Sequence, residues 1–218
     1  DRAPTDLTGA VTIIRAADFA SRITSLPELL DEVAGLRVRA YGGLGAFATV
    51  MIRGSTAEQV NIYMDGVLLN PALGGGVNLA DLSLAGIDTI EIYRGFTPSF
   101  LTSGSIGGAI NIRTKRPAPR RVNQTGTVAY GSYKTAEAAG AVSWSGRRLD
   151  GLVSGEMTSG DGDFRFFDNN GTTLDGSDDR FATRRNNDFE RADLLGRAGA
   201  ALDDDARLDF QAGFTTRT

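Results

Sequence analysis

Between Thr49 and Lys115 three short motifs follow one another in fixed order: IRGS at 52–55, YMDGV at 63–67, and EIYRG at 91–95, leading through SGSIGGAINI at 103–112. Each joins a β-branched or aromatic run to a turn signal, which confines this stretch to short strands with tight connections. Val50 to Arg53 and Val60 to Met64 read as strands, Asp65-Gly66 is a tight-turn dipeptide, and Val67 to Leu69 starts the return of a hairpin. Ile90 to Arg94 and Ala109 to Arg113 add two more strands, and Gly104, Gly107 and Gly108 allow close backbone approach just before the last of them. Upstream, Val11, Ile13 and Ile14 form a β-branched run, and Ser25 to Glu28 spells a capping box. A helix of about three turns is predicted there, with Leu26, Leu29, Leu30 and Val33 on one face and Gly35 ending it. The first part, residues 1–121, is predicted to be an α+β domain with a mixed sheet and short helices.

Past Arg121 the pattern changes. Lys134, Ala136, Ala138, Gly140, Val142 and Trp144 alternate with Thr135, Glu137, Ser143 and Ser145. The alternation returns as Leu149, Gly151, Val153, Gly155 and Met157 against Asp150, Ser154, Glu156 and Thr158. It returns again as Leu208, Phe210, Ala212 and Phe214 against Asp209, Gln211, Gly213 and Thr215. Short links at 145–148 and 202–205 contrast with a long polar loop from Gly160 to Asp188. Alternating strands of about ten residues, with short turns at one end and long loops at the other, are the signature of an outer-membrane barrel. The same alternation also describes a water-soluble sandwich with one solvated face.

Composition removes several classes of function. The chain has 218 residues, with 23 Lys and Arg against 27 Asp and Glu, so no basic excess points to nucleic acid. Neither Cys nor His occurs, which excludes thiol chemistry, thiolate or imidazole metal sites and any His-based triad. No apolar run approaches the roughly 20 residues of a spanning helix, and the residues from Asp1 onward carry no signal-peptide pattern. Gly43, Gly45 and Ala48 fit a loose dinucleotide fingerprint but precede a strand where the fold requires them to follow one. The formal sequons at Asn123 and Asn170 are read as accidental, and nothing places Ser-Lys or paired-carboxylate chemistry together. Asp161, Asp163, Asp168, Asp175 and Asp178 crowd the long loop with hard oxygen donors, a possible calcium site that equally serves to solvate a loop.

The order and separation of the motifs between 49 and 115 resemble the plug domain of TonB-dependent outer-membrane transporters, over roughly residues 11 to 116. The resemblance implies a Gram-negative outer-membrane protein whose plug, residues 1–121, sits inside a transmembrane β-barrel begun by residues 122–218. It also implies a scarce nutrient as ligand, an inner-membrane TonB complex that remodels the plug, contact with outer-membrane lipid, and no covalent chemistry. Within the family the plug is most similar to those of cobalamin transporters, whose glycine-rich apical loops touch the ligand. The matching positions are Tyr41, Gly42, Gly43, Leu44, Gly45 and Phe47 in one loop, and Asn70, Leu73, Gly74, Gly75 and Asn78 in the other. Arg53, Asp65, Glu91 and Arg94 are the charged motif residues, and the resemblance implies that such groups sit where plug meets barrel wall. The family's TonB box has no match in DRAPTDLTGA, the first ten residues. A plugged barrel takes about 22 strands, whereas 122–218 holds about five. An open sheet edge in hydrocarbon is costly, so the remaining strands are expected from further sequence or from a second polypeptide. Related plugs carry metal chelates such as siderophores. The alternatives in other classes are a plugged export or assembly channel and a surface-binding protein that moves no solute.

Overall fold

Ser25 opens the first helical segment in the way its neighbours require. Its side chain accepts the Glu28 N–H, while the Glu28 carboxylate accepts the Ser25 N–H at 2.9 Å, so two orphan donors of the helix start are satisfied reciprocally. The helix itself is shorter than its apolar spacing predicts. In the computed structural model, which describes residues 11–19, 24–42, 45–101, 104–116, 121–171, 177, 179–184, 188–203 and 206–218, it runs only over Leu26–Asp31. The physical reason lies in its last residue: the Asp31 carboxylate accepts the N–H of Val38 at 2.9 Å, and Gly35 adopts φ +84°, so the chain turns straight into a strand.

Chain order gives β1 (Val11–Arg15), α1 (Ala16–Phe19), α2 (Leu26–Asp31), β2 (Leu36–Ala40), β3 (Ala48–Ile52), β4 (Val60–Met64), β5 (Val67–Leu68), β6 (Ile87–Arg94) and β7 (Gly108–Thr114). Five of these strands form a mixed sheet in the order β1-β6-β7-β4-β5, with β4 and β7 parallel and the other pairs antiparallel. Strands β2 and β3 pair separately. Asp65 and Gly66 both take positive φ, 50° and 85°, as the tight turn between β4 and β5 demands. Leu26, Leu29 and Leu30 of α2 pack with Ile52, Ile62, Ile90, Ile92, Ile110 and Ile112 in one continuous core, each burial contributing roughly 1.5–3 kcal/mol.

The second half adds β8 (Val122–Tyr130), β9 (Ala136–Ser145), β10 (Leu149–Gly160), β11 (Phe164–Asp168), β12 (Arg180–Arg184), β13 (Phe189–Ala201) and β14 (Arg207–Arg217). Five of them make one antiparallel sheet, β14-β13-β10-β9-β8, with open edges at β8 and β14. The strands β11 and β12 form a hairpin inside the stretch predicted as a polar loop. On the outward face Val128, Val142, Trp144, Val153, Met157, Leu194, Phe210 and Phe214 are exposed; the facing-in set includes Ala129, Ala141, Ser143, Leu152, Ser154, Arg191 and Arg197, all buried against the first half. This is the apolar-out, polar-in arrangement of a membrane wall. At Gly151 an added Cβ would lie 2.1 Å from the Trp144 ring, so the indole lies flat over a bare backbone on the outward face.

Candidate functional site

The connection 146–148 lies at one end of the wall sheet, where Ala201 and Arg207 also pair, and 131–135 lies at the other, the long-loop end, with Gly160 opposite Phe189. The loop between β2 and β3 sits at the long-loop end, because Gly45, at φ +75°, approaches the Phe189 ring so closely that a Cβ would stand 3.1 Å from it. The loop closes through Tyr41 N–H to the Phe47 carbonyl, 2.9 Å, and through the two rings, whose centroids are 5.6 Å apart. The Arg39 guanidinium stacks over Tyr41 at 4.9 Å, leaving Tyr41 and Phe47 exposed in one aromatic and cationic patch. Gly42 is part of this turn, whereas Gly43 and Leu44 lie outside the described residues.

The second loop, 70–78, is held at both ends by asparagines. The Asn70 amide accepts the Ile62 N–H at 2.7 Å and donates to the Val60 carbonyl at 2.9 Å, and the Asn78 carbonyl oxygen accepts the Ala48 N–H at 2.9 Å. Both side chains are therefore occupied in fixing the loop and in tying it to β3. Between them Gly74 and Gly75 take φ +84° and +111°, and Leu73 stands fully exposed at 103%.

The charged motif residues distribute differently. Glu91 is buried within the first half, accepting from Tyr93 at 3.0 Å, Asn111 at 2.8 Å and Arg113 at 3.1 Å. Burial, and then the Glu91 charge, push the Tyr93 hydroxyl well above its ordinary range. Arg94 donates to Thr12 at 2.8 Å, and burial followed by the neighbouring Arg53 charge holds its guanidinium below its usual range. Arg53 itself takes φ 49° and donates its backbone N–H to Gly35 at 2.9 Å. Asp65 alone of the four faces a described wall strand: its carboxylate accepts from Thr114 N and Oγ1 at 3.0 and 2.6 Å and lies 3.9 Å from Arg197 of β13.

Two buried arginines on β13, absent from the sequence expectations, organise the contact between the halves. Arg197, with its side chain 1% exposed, donates to Asp150 of β10 at 2.8 Å and to Thr114 at 3.2 Å. Arg191 pairs with Glu156 at 2.9 Å and with Asp193, and donates to the Ala80 carbonyl; Glu156 in turn accepts from Ser83 at 2.5 Å. Farther out, Arg217 meets Asp81 at 2.7 Å. Gly86 completes the contact, since a Cβ there would lie 3.1 Å from the Ser154 Cβ. In sequence only the polar parity of β10 pointed to this seam; β13, FERADLLGRAGAA, has no β-branched residue to mark it.

In the acidic stretch, Asp161 pairs with Lys134 at 2.5 Å, Asp163 precedes β11, and Asp168 pairs with Arg180 at 3.6 Å; Asp175 and Asp178 lie outside the described residues. Among the described residues no group of three or more carboxylates converges on a common point.

An α+β domain is thus seated by buried arginines against an amphipathic antiparallel sheet, with glycine-rich loops at the long-loop end. The family model of the TonB-dependent Receptor Plug Domain matches residues 3–109. It is 36% identical over 118 residues to the vitamin B12 transporter BtuB of Vibrio cholerae serotype O1, covering 54% of this chain and 19% of that protein; with BtuB of Vibrio vulnificus the identity is 28% over 124 residues. The chain thus spans about a fifth of the length of these curated relatives. Among solved structures, a ferric enterobactin receptor mutant from Pseudomonas aeruginosa aligns with a TM-score of 0.69 at 19% identity, over 95% of this chain and 33% of that one. The ferripyoverdine receptor of the outer membrane of the same organism aligns at 0.64 and 16%, over 94% and 25%. The first half of the chain is thus similar to the plug of TonB-dependent receptors.

Proposed function

We propose that this chain forms the plug and first wall strands of a receptor for TonB-dependent uptake of a scarce nutrient, a corrinoid or a metal chelate, captured by the loops 41–48 and 70–78. The observation that carries the reading is the exposed aromatic pair Tyr41 and Phe47, which the approach of Gly45 to Phe189 sets at the long-loop end of the wall, with exposed Leu73 in the loop that Asn78 ties to Ala48; that end faces outward in such barrels. Small residues between these side chains let a broad, flat ligand approach the backbone. The remaining strands come from further sequence or from a second polypeptide that pairs with the open edges of β8 and β14; native mass spectrometry of the complex extracted from outer membranes separates the two. The calcium reading of the stretch 161–178 rests on its sequence and is tested by calcium titration of the purified receptor.

The test is uptake of cyanocobalamin and of ferric siderophores by cells relying on this receptor. Phe47→Asp together with Leu73→Asp is expected to weaken binding about tenfold or more, since two apolar contacts are replaced by charges, while the plug stays folded. Unaltered affinity sinks the assignment of these loops, and binding without TonB-dependent uptake favours a surface-binding protein.

A further inference from the structure

The wall sheet treats its arginines in two ways. On the inward side Arg191, Arg197 and Arg207 meet carboxylates at 2.9, 2.8 and 2.5 Å. At the end where β9 turns into β10, Arg121, Arg147 and Arg148 are exposed, and among the described residues none of the three has a carboxylate within ion-pairing distance. The turn itself does not call for arginine. It closes from the Gly146 N–H to the Leu149 carbonyl, neither Arg147 nor Arg148 takes a positive φ, and tight turns favour Gly, Asn and Asp. The three residues are nevertheless brought side by side. The Arg121 carbonyl accepts the Ser145 N–H at 3.0 Å, two residues before Arg147, and the Arg148 carbonyl accepts the Ala201 N–H at 2.8 Å.

Next to these cations the outward face ends in an apolar edge. Val122, Trp144, Gly151, Ala198 and Phe210 stand in one row across the five strands, and Leu149, Ala200 and Leu208 stand in the row nearer the turn. Val122, Trp144, Leu149, Leu208 and Phe210 are all exposed. From Leu149 to Met157, the last exposed apolar residue of β10, the strand rises about 26 Å, or about 20 Å along the membrane normal at a tilt of about 40°. That is close to the height of the apolar band of a membrane wall, so Arg147 and Arg148 begin where acyl chains give way to phosphates. Trp144 is the residue type that settles at this boundary. At the opposite end of β9 the nearest cation, Lys134, is already paired with Asp161. Guanidinium groups grip phosphate oxygens in a bidentate manner, and here no carboxylate competes for them.

We propose that Arg121, Arg147 and Arg148, with Trp144 and Leu149 beside them, form a docking surface for an anionic phospholipid of the leaflet at the short-turn end. Its phosphate lies on the guanidinium groups and its acyl chains run along the outward apolar rows. The proposal rests on the reading of residues 122–218 as wall strands and not on any ligand of the loops 41–48 and 70–78.

The test uses the complete receptor, stripped of lipid in a neutral detergent and titrated with phosphatidylglycerol, phosphatidylethanolamine or water-soluble glycerol phosphate, with bound molecules counted by native mass spectrometry. Arg121→Gln, Arg147→Gln and Arg148→Gln should each weaken the tightest phosphatidylglycerol step about fivefold, and the triple variant roughly a hundredfold. Phosphatidylethanolamine binding should hardly change in these variants, and Lys134→Gln should leave both lipids unaffected. The lipid-free unfolding midpoint should be the same in the triple variant, because no ion pair is broken; a lowered midpoint would make the arginines structural and overturn the proposal. Undiminished phosphatidylglycerol affinity in the triple variant overturns it as well. Glycerol phosphate that competes as well as the lipid reduces the surface to a bare anion site and overturns the lipid assignment. A receptor that holds both lipids equally defeats this proposal alone, whereas one that holds neither defeats the wall reading with it.

Discussion

Gly108 stands at φ +121° with the Tyr93 carbonyl 2.2 Å from where a Cβ would be, and Gly107 beside it would meet the Gln59 carbonyl at 2.7 Å. Neither neighbour can give way, because both are backbone. Gly108→Ala combines a strained φ with an overlap inside the β6–β7 pair and should cost the plug at least about 2–4 kcal/mol, read as a lowered unfolding midpoint of the receptor in detergent. Tyr93 gives a second prediction at this scale. Its hydroxyl is a hydrogen-bond donor to the Glu91 carboxylate, so the folded plug holds the phenolic proton more tightly than the unfolded chain does. A raised folded pKa means stability fully present below the ordinary value of 10.0 and lost as the pH climbs beyond it. Unfolding free energy should therefore fall above pH 10, and Tyr93→Phe should flatten that alkaline limb and remove the last step of the tyrosinate absorbance titration. An unchanged limb in the variant would assign the loss to another group.

The short helix α2 depends on its start more than on its length. Six residues are too few to hold a helix by propagation alone, so Ser25→Ala should cost about 1 kcal/mol and Glu28→Ala somewhat less, with the double variant costing less than their sum because the two bonds are reciprocal. Thermal unfolding of the three variants checks the coupling. Elements of this kind were legible in sequence, since a capping box, an Asp-Gly turn and alternation of period two are local signals. What escaped notice was set by partners far along the chain. The strand β2, LRVRA, exists because β3 pairs with it. The strand β13 is composed of helix-favouring residues and becomes a strand because β10 and β14 flank it over its whole length. The predicted third turn of α2 is lost to a carboxylate that prefers the Val38 N–H. The two loops were visible as glycine-rich stretches, but the anchoring roles of Asn70 and Asn78 depend on backbone groups 8 to 30 residues away, and the Arg191 contacts on pairings across 35 and 111 residues.

Across the whole molecule, Arg197 ties β13 to Asp150 of β10 and reaches the first half through Thr114 at 3.2 Å and Asp65 at 3.9 Å. The Asp65 contact is long, 3.9 Å, against 2.8 Å to Asp150, and an amide at position 65 still accepts from one Thr114 donor and donates to the hydroxyl. Asp65→Asn should cost below about 1 kcal/mol, whereas Arg197→Ala takes the 2.8 Å partner from Asp150, which keeps Arg207, and should cost about 1.5–3 kcal/mol. Detergent unfolding curves rank the two, and equal losses would show that Asp65 carries the seat. Arg191 and Arg197 face inward on a strand whose other face is apolar, and each finds part of its hydrogen bonding on the plug. With Gly86 leaving no space before Ser154, the two halves meet there without clearance. Each arginine of β13 is satisfied only when both surfaces are present, so neither half shows its full hydrogen bonding without the other.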